Sequence, residues 1–335
     1  MGRIGIVNNP RARRNRRRPR TAAALRDLVG SEGTLLDVHC DEDTRAALRT
    51  FRRDGVSLLA VNGGDGTLSR LATALPEAWG GPPWPKLVPL PGGSMNNVAH
   101  AHGYRGSPQR CLRRLLRRLQ AGEPLHAVER DLLLVEGGGR PAQLGFLFAT
   151  GAAVRFLDLW NAREGSGPWR AAALLGATLA SALFGGRLAR EVTRREALRV
   201  VAEGEEWPAR EWLAVLAGAV PGLGFGSRPF SRCDEQPGFF HAFGVTASPR
   251  RLLLALPALW RGHPWRRHAA LDAVTRDLLL EPQLPLRYTL DGDLYLSEGP
   301  LRVRNGPALE VVVDTTRPPR RPRPGDGLTA REFAR

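Results

Sequence analysis

Cysteine, lysine and long apolar runs are all scarce in this sequence of 335 residues. Its three cysteines, Cys40, Cys111 and Cys233, are odd in number and far apart, which excludes both a disulfide framework and the paired spacing of a zinc site. None of the seven histidines has metal-ligand spacing. We therefore expect a cytoplasmic protein in a reducing compartment.

The longest charge-free apolar run, residues 171–186, is shorter than the roughly 20 residues that a helix needs to cross a bilayer. The first residues also lack the order of a secretory signal, because an apolar stretch precedes the arginines instead of following them. We expect a soluble protein that is associated with a membrane at most peripherally.

Positive charge is concentrated at the two ends of the chain. The net charge is +16 and the pI is near 11.3. Residues 1–20 contain eight arginines and no acid, and residues 317–335 contain six arginines and two acids. Such ends suit an anionic membrane surface or a phosphate ligand. We expect no nucleic-acid partner, because no recognisable nucleic-acid-reading motif accompanies the arginines.

The first part of the chain alternates short apolar runs with helical patterns, which indicates βαβ units around a parallel sheet. The expected strands are residues 3–7, 35–39, 56–61 and 86–90, and the expected helices are residues 21–29, 43–53 and 68–75. We expect the arginine-rich segment 11–20 to be mobile. The fold class predicted here is an N-terminal α/β domain with a Rossmann-like parallel sheet.

After Pro124 the pattern changes to short β-like runs separated by glycine-rich turns, which predicts a C-terminal, mainly-β sandwich domain. The runs are residues 131–135, 144–149, 198–202, 212–216 and 239–245, and later 301–304 and 308–313, which either close this domain or return to the first. A helix over 171–183 would cover the sheet or an apolar cavity. We divide the chain into domains 1–124 and 125–316 and a disordered, proline-rich tail, 317–335.

Residues 109–120 have the clearest helical pattern, with leucines on one face and arginines on the other. Two interpretations are open. The leucines pack on the sheet and leave the arginines in solvent, or the helix contacts a membrane surface.

The most informative stretch is Val-Asn-Gly-Gly-Asp-Gly-Thr-Leu at residues 61–68, between an expected strand and an expected helix. Its three glycines, Gly63, Gly64 and Gly66, allow a sharp turn and close approach of the backbone to a ligand, and the following helix N-terminus suits phosphate. Asp65 beside phosphate makes sense when a divalent cation lies between them. The alternative is a turn in which Asp65 and Thr67 only cap the next helix.

This loop is not a Walker A motif, because no lysine follows the glycines and Lys86 is the only lysine in the chain. Its Gly-Gly-Asp-Gly-Thr resembles the signature of the diacylglycerol kinase catalytic-domain family, which includes bacterial lipid kinases, sphingosine kinases and ceramide kinases. NAD kinases share that pentapeptide. The stretch Pro-Leu-Pro-Gly-Gly-Ser-Met-Asn-Asn at residues 89–97 resembles the second box of the lipid kinases and favours them.

The resemblance implies which residues contact the nucleotide. They are Asn9, Gly63, Gly64, Asp65, Gly66, Thr67, Gly93, Ser94, Asn96 and Asp291. Asp65 would also hold Mg²⁺ through ATP. Ser94 stands where threonine is usual, and an N-cap role is compatible with its position. Asp131 matches an aspartate at the start of the family's second domain, where we expect a structural role.

Leu-Asp-Gly-Asp-Leu at residues 290–294 resembles the family's Asp-Gly-Glu motif, so Asp293 takes the place of the general base, with a side chain one carbon shorter. The alternative is an ordinary Asp-Gly hairpin turn. Residues 229–239 resemble a segment that holds a structural magnesium in some bacterial members, which makes Asp234 a candidate ligand. Here, however, the Asp-Gly pair of that segment is split.

Together these observations predict an ATP- and Mg²⁺-dependent lipid kinase that phosphorylates a hydroxyl of a diacylglycerol-like or sphingoid lipid. Asp65 and Asp293 would be its catalytic residues. The expected partners are the lipid alcohol and an anionic membrane surface, and a homodimer is left open. The alternatives are an NAD kinase-like enzyme and a relative that binds nucleotide or membrane without turnover.

Overall fold

The computed structural model of the chain describes residues 3–161, 186, 192–224, 227–248, 251 and 270–314. The helix expected over 171–183 and the tail expected over 317–335 lie outside the described residues. None of the helices that are described has the length and apolar character needed to cross a bilayer.

The first part of the chain is an α/β layer structure. Its strands are β1 (Arg3–Asn8), β2 (Gly33–Asp37), β3 (Val56–Gly63) and β4 (Lys86–Pro91). Its α-helices are α1 (Arg13–Arg17), α2 (Arg20–Val29), α3 (Asp41–Arg53), α4 (Asp65–Trp79), α5 (Asn97–Ala101) and α6 (Pro108–Gln120). The four strands are parallel and lie in the order β2-β1-β3-β4. This confirms the predicted N-terminal fold class.

Both faces of this parallel sheet are buried, as a sheet with helices on each side requires. In β3, Leu58 and Ala60 face the core that α2 and α6 complete, whereas Leu59 and Val61 face the core of α3 and α4. The leucines of α6 pack in the first of these cores, where Leu112 and Leu115 are buried. The packing interpretation of that helix is therefore confirmed.

The segment 11–20, which we expected to be mobile, is ordered, and this prediction is wrong. It contains α1 and the start of α2. The buried Asn15 side chain donates to the carbonyl oxygens of Asn9 and Asn62 at 2.9 and 3.0 Å. Arg14 donates to the carbonyl oxygen of Gly106 at 2.7 Å. One buried amide among the arginines fixes a segment whose composition resembles that of a flexible arm.

The second part of the chain forms a sandwich of two antiparallel layers. Its strands are β5 (Ala127–Gly137), β6 (Arg140–Gly145), β7 (Leu147–Thr150), β8 (Glu196–Ala202), β9 (Glu205–Glu206), β10 (Glu211–Trp212), β11 (Ala214–Gly218), β12 (Phe240–Val245), β13 (Ala270–Thr275), β14 (Asp277–Pro282), β15 (Leu286–Leu290), β16 (Asp293–Ser297) and β17 (Leu301–Val312), and its helix is α7 (Ala152–Asn161). One layer is the six-stranded sheet β13-β12-β11-β7-β15-β16. Phe148 of this sheet packs with Val135 and Leu280 of the other layer.

The strand β17 joins the two parts of the chain. It pairs antiparallel with β5 and β14 and, through Val311 and Leu87, parallel with β4. The runs expected at 301–304 and 308–313 are thus one strand, with an irregularity between Asn305 and Ala308. Because of this strand, the parallel sheet and one layer of the sandwich form a single eleven-stranded sheet.

Candidate active site

A cavity of about 420 Å³ opens at the carboxyl ends of β1, β3 and β4. The β2-β1-β3-β4 order reverses direction between β1 and β3, and ligands of open α/β sheets bind at such a point. The loop between β15 and β16 and the end of α7 form the opposite wall. The cavity therefore lies between the two parts of the chain and receives side chains from both.

Two glycine-containing loops form the sheet side of the cavity, and their backbones touch. The N–H of Gly92 donates to the carbonyl oxygen of Gly63 at 2.9 Å. A Cβ built on Gly93 would lie 2.4 Å from the Cα of Gly64, so a side chain there would push the loops apart. The predicted Gly63, Gly64 and Gly93 are thus brought together, and Gly64 and Gly93 line the cavity.

Asn9 and Thr67 support the first loop from behind. The Asn9 side-chain amide donates to the Thr67 hydroxyl at 2.9 Å, and the Asn9 N–H donates to the Asn62 carbonyl oxygen at 3.0 Å. A Cβ on Gly63 would lie 2.5 Å from the Thr67 side chain, which explains why glycine is needed at that position. These residues hold the carboxyl ends of β1 and β3 in register with the start of α4.

Asp65 is buried and joins the two loops. One of its carboxylate oxygens accepts from the N–H of Val98 and the other from the N–H of Asn97, each at 3.0 Å. It therefore caps α5, and not its own helix α4 as the alternative interpretation of this loop supposed. Burial raises the pKa of Asp65, although these backbone N–H groups oppose that shift. Asp65 also lines the cavity.

The second loop is closed by Asn96, which has a left-handed backbone with φ of 53°. Its side chain accepts from the Gly93 N–H at 2.8 Å and donates to the Gly93 carbonyl oxygen at 3.1 Å. Asn96, and not Ser94, is the residue that directly precedes α5. Ser94 is exposed and lines the cavity.

Asp291 is buried on the opposite wall. Its carboxylate accepts from the N–H groups of Phe146 and Leu147 at 2.8 and 3.0 Å. Burial raises the pKa of Asp291 well above its ordinary value, and the charge of Asp65 raises it further. No ion pair to either carboxylate occurs in the part of the chain that the structure describes.

Asp293 lies at the cavity end of β16 and is about a third exposed, with 30% of its side-chain surface accessible. It faces the start of α4, since a Cβ on Gly66 would lie 3.0 Å from its Oδ2. Arg70 donates to the same oxygen from Nε at 3.0 Å and from Nη2 at 2.8 Å. The candidate base is therefore oriented by a guanidinium group on the other wall.

The sequence motifs did not point to Arg70. A signal for it was present, because Arg70 follows Gly66 by four residues and such residues share one face of a helix. They also missed Met95, Leu157 and Trp160, which line the cavity. Met95 packs against Trp160. Nothing in the sequence places the end of α7 beside the glycine loops.

Arg11 and Arg13 also line the cavity. The Arg11 guanidinium donates to the carbonyl oxygen of His39 at 3.2 Å, and the Arg13 guanidinium lies 5.6 Å from the ring centre of Trp160. Two positive side chains thus lie beside the loops, although they come from the segment that we expected to be mobile.

Asp234 does not lie in this cavity. Its carboxylate forms an ion pair with Arg130, whose Nε also donates to His102 at 3.2 Å. Among the described residues no group of three or more His, Cys, Asp or Glu side chains could hold a metal ion. The geometry at Asp234 therefore does not fit the structural magnesium that the resemblance implies. Asp131 accepts from the Gly238 N–H at 2.9 Å, in keeping with a structural role.

Comparison with known proteins agrees with this geometry. The family model for the diacylglycerol kinase catalytic domain matches residues 3–123. A crystal structure described as a diacylglycerol kinase from Bacillus anthracis str. Sterne has a TM-score of 0.63 at 13% identity, covering 93% of this chain and 97% of its own. A second structure from that organism has a TM-score of 0.67 at 14% identity, with the same coverage.

No curated protein matches the chain. At such identities the solved structures show the fold, and the family model supplies the assignment of the N-terminal region. It covers both glycine loops and supports a kinase-type catalytic domain. We conclude that residues 3–123 match the model of the diacylglycerol kinase catalytic domain and that the described chain has the two-part fold of the similar Bacillus anthracis structures.

Proposed function

We propose that this protein is an ATP-dependent lipid kinase that phosphorylates a hydroxyl of a diacylglycerol-like or sphingoid lipid. One observation carries the proposal: a single cavity is lined by glycines beside a helix N-terminus, by the carboxylates of Asp65, Asp291 and Asp293, and by apolar side chains from the second part of the chain. Phosphoryl transfer needs mainly positioning and charge stabilisation, and these groups can supply both.

The sheet side of the cavity fits the phosphates of a nucleotide. Gly64 and Gly93 allow the two loops to meet, and both line the cavity without a side chain. The N-terminus of α4 adds unpaired N–H groups and the positive end of a helix dipole. Arg11 and Arg13 extend this positive surface along the wall of the cavity.

Asp65 and Asp291 fit a divalent cation near those phosphates. Both are buried carboxylates that line the cavity, and the charge of Asp65 raises the pKa of Asp291. Carboxylate oxygens are the ligands that Mg²⁺ prefers, and a cation would offset the repulsion between them. Asp65 would hold the ion with the nucleotide. A bound Mg²⁺ would supply charge neutralisation of the phosphate oxygens.

Asp293 and the apolar wall fit the acceptor. Met95, Leu157 and Trp160 give that end of the cavity an apolar surface, which suits the acyl or alkyl part of a lipid alcohol. As the hydroxyl oxygen bonds to the transferred phosphorus and the bond to ADP breaks, Asp293 accepts the hydroxyl proton. General-base help of this kind is typically worth ~10²–10⁴-fold in rate.

We further propose that α1 contacts an anionic membrane surface. Arg16, Arg17 and Arg18 are exposed, and no arginine of the 11–20 segment forms an ion pair with any described acid. Burial lowers the pKa of Arg13, and so do the charges of Arg17 and Arg16. An anionic surface would relieve this repulsion between like charges.

A panel of acceptors tests the proposed reaction. Purified protein, Mg²⁺ and ATP labelled in its terminal phosphate are incubated with diacylglycerol, a sphingoid base, ceramide and NAD, each in turn. We expect label in one or more of the lipids and none in NAD. Label in NAD alone would show an NAD kinase, and label in no acceptor despite nucleotide binding would show a relative without turnover.

A further inference from the structure

Arg70 is a cavity residue to which neither the motifs nor the proposed reaction assigns a task. It leaves α4 one turn after Gly66, lines the cavity, and forms an ion pair with Asp293 on the opposite wall. Its side chain is less than half exposed, with 43% of its surface accessible. Asp293 and Arg70 are therefore the ion pair that spans the cavity at the proposed base.

The ion pair uses only some of the N–H donors of the Arg70 guanidinium group. Nε and Nη2 both donate to a single oxygen, Oδ2 of Asp293. A guanidinium has five N–H donors in one plane, and this contact takes two of them. Within the described ranges no other acceptor lies at hydrogen-bond distance from Arg70. The remaining donors can bind a second anion.

The charges in the cavity indicate which anion that would be. Asp293 lies against Gly66, on the loop that we propose binds phosphate, and a carboxylate beside a phosphate is repelled unless a cation lies between them. Arg70 is the positive side chain that contacts this carboxylate. The planar fork of arginine matches both carboxylate and phosphate groups.

We propose that Arg70 bridges Asp293 and the terminal phosphoryl group of the donor nucleotide. It thereby recognises a nucleoside triphosphate in preference to a diphosphate and fixes the base beside the phosphorus that it serves. This inference rests on the proposed function, because it requires a nucleotide in the cavity.

Nucleotide titration tests the bridge without any lipid. The purified full chain is titrated calorimetrically with ADP and with a non-hydrolysable ATP analogue, both with Mg²⁺. We expect Arg70→Gln to weaken binding of the ATP analogue ~10-fold or more and to leave ADP affinity unchanged, because one charged hydrogen-bonded contact to the terminal phosphate is lost. Arg302→Gln is the matched control, since it breaks a two-donor ion pair with Asp277 outside the cavity.

Two further variants distinguish an Arg70 that contacts both Asp293 and the terminal phosphate from one that only holds Asp293 in place. Arg70→Lys keeps the charge but not the fork, so it should give an intermediate loss for the ATP analogue. Asp293→Asn keeps Arg70 and should keep the preference for the ATP analogue. Equal weakening of ADP and ATP analogue in Arg70→Gln, no weakening of either, or loss of the preference in Asp293→Asn would each overturn the inference.

The controls distinguish this inference from the proposed function. A wild-type protein that binds neither nucleotide contradicts the proposed function itself. A wild-type protein that binds both, with a preference that Arg70→Gln leaves intact, contradicts the bridge alone. Thermal unfolding of each variant confirms that it is folded before it is titrated.

Discussion

The two walls of the cavity are built in different ways. The sheet wall is centred on backbone, because Gly64 and Gly93 of two neighbouring loops meet at distances that exclude side chains, and the side chains of Asp65 and Arg70 flank them. The opposite wall is made of side chains, including Asp291, Asp293 and Trp160, which come from segments far apart in the chain. Under the proposed function, the first wall would bind phosphate and the second would accept the proton and contact the acceptor.

Asp65→Asn is expected to have the largest effect on the sheet wall. The amide removes the charge that would hold the cation, and it offers one acceptor oxygen where two N–H groups now donate. Turnover should be lost, with a loss of about 1–3 kcal/mol in the free energy of unfolding from the unpaired N–H. Labelled-phosphate transfer and thermal unfolding measure the two effects. Asp277→Asn, at an ion pair outside the cavity, is the control, and an Asp65→Asn protein with full activity would refute the nucleotide assignment.

Asp293→Asn tests the proposed general base on the opposite wall. The amide keeps the shape but cannot accept a proton, so kcat should fall ~10²–10⁴-fold while nucleotide affinity changes little. Asp293→Glu should retain measurable activity. Steady-state kinetics and calorimetry separate kcat from binding. If the segment is only an Asp-Gly turn, Asp293→Asn will be nearly silent, because asparagine suits such a turn as well as aspartate does.

The arginines of the 11–20 segment differ from those of the sandwich in their acid partners. Those of the 11–20 segment have no acid partner within the described ranges, whereas Arg199 and Arg302 of the sandwich are paired. Replacing Arg16, Arg17 and Arg18 together by glutamine should weaken binding to anionic vesicles by about 3 kcal/mol at low salt, roughly 1 kcal/mol for each arginine. Co-sedimentation with anionic and neutral vesicles measures this difference, and Arg302→Gln serves as the control. Equal binding to both kinds of vesicle at all salt concentrations would show that α1 does not bind an anionic membrane surface.

Gly93→Ala tests whether the sheet wall depends on contact between the loops. A methyl group would lie 2.4 Å from the Cα of Gly64, so one loop must shift. Such overpacking typically costs about 1–3 kcal/mol, and we expect nucleotide affinity to fall roughly tenfold. Gly81→Ala is the matched control, because a Cβ there meets no atom within 4 Å. Unchanged affinity in Gly93→Ala would show that the loops need not touch.

The smallest expected effect is the pH dependence of stability due to His102, which directly follows α5, the helix that Asp65 caps. Burial, and then the charge of Arg130, lower the pKa of His102 to about 4, and its ring nitrogen contacts the carbonyl oxygen of Val98 at 2.7 Å. The folded protein therefore keeps His102 neutral, and below the unfolded pKa of about 6.5 the unfolded chain binds a proton that the folded protein does not. The contribution of His102 to the free energy of unfolding is thus fully present above that pH and is lost as the pH falls toward 4. At pH 5.5 we expect the free energy of unfolding to be about 1.4 kcal/mol lower than at neutral pH from this group. Denaturant unfolding of the wild type and of His102→Gln measures it, and equal pH dependence in both would contradict the assignment.

The sheet wall could be predicted from the sequence because its residues are local. The strand, glycine loop and helix follow one another at residues 56–79, and parallel strands bring their carboxyl ends to one edge. The order of the 11–20 segment could not be predicted, since it depends on hydrogen bonds from the Asn15 side chain to the carbonyl oxygens of Asn9, just before the segment, and of Asn62 in β3. The amino-acid composition of the segment does not predict such a contact.

The side-chain wall could be predicted only in part. Asp293 was found through its motif, but its contact with Arg70 spans more than two hundred residues of sequence and depends on how the sandwich meets the parallel sheet. The partner of Asp234 was missed for the same reason, because Arg130 reaches this turn residue from the distant strand β5. Long-range pairing of charges follows from the complete fold and not from local pattern.

The most direct test of the account is a crystal structure of the protein with a non-hydrolysable ATP analogue and Mg²⁺. The account predicts that the phosphates lie against the backbone of Gly64 and Gly93, that the ion contacts Asp65, and that Arg70 reaches the terminal phosphate while it still holds Asp293. A nucleotide bound outside this cavity, or one whose phosphates contact neither glycine loop, would contradict it.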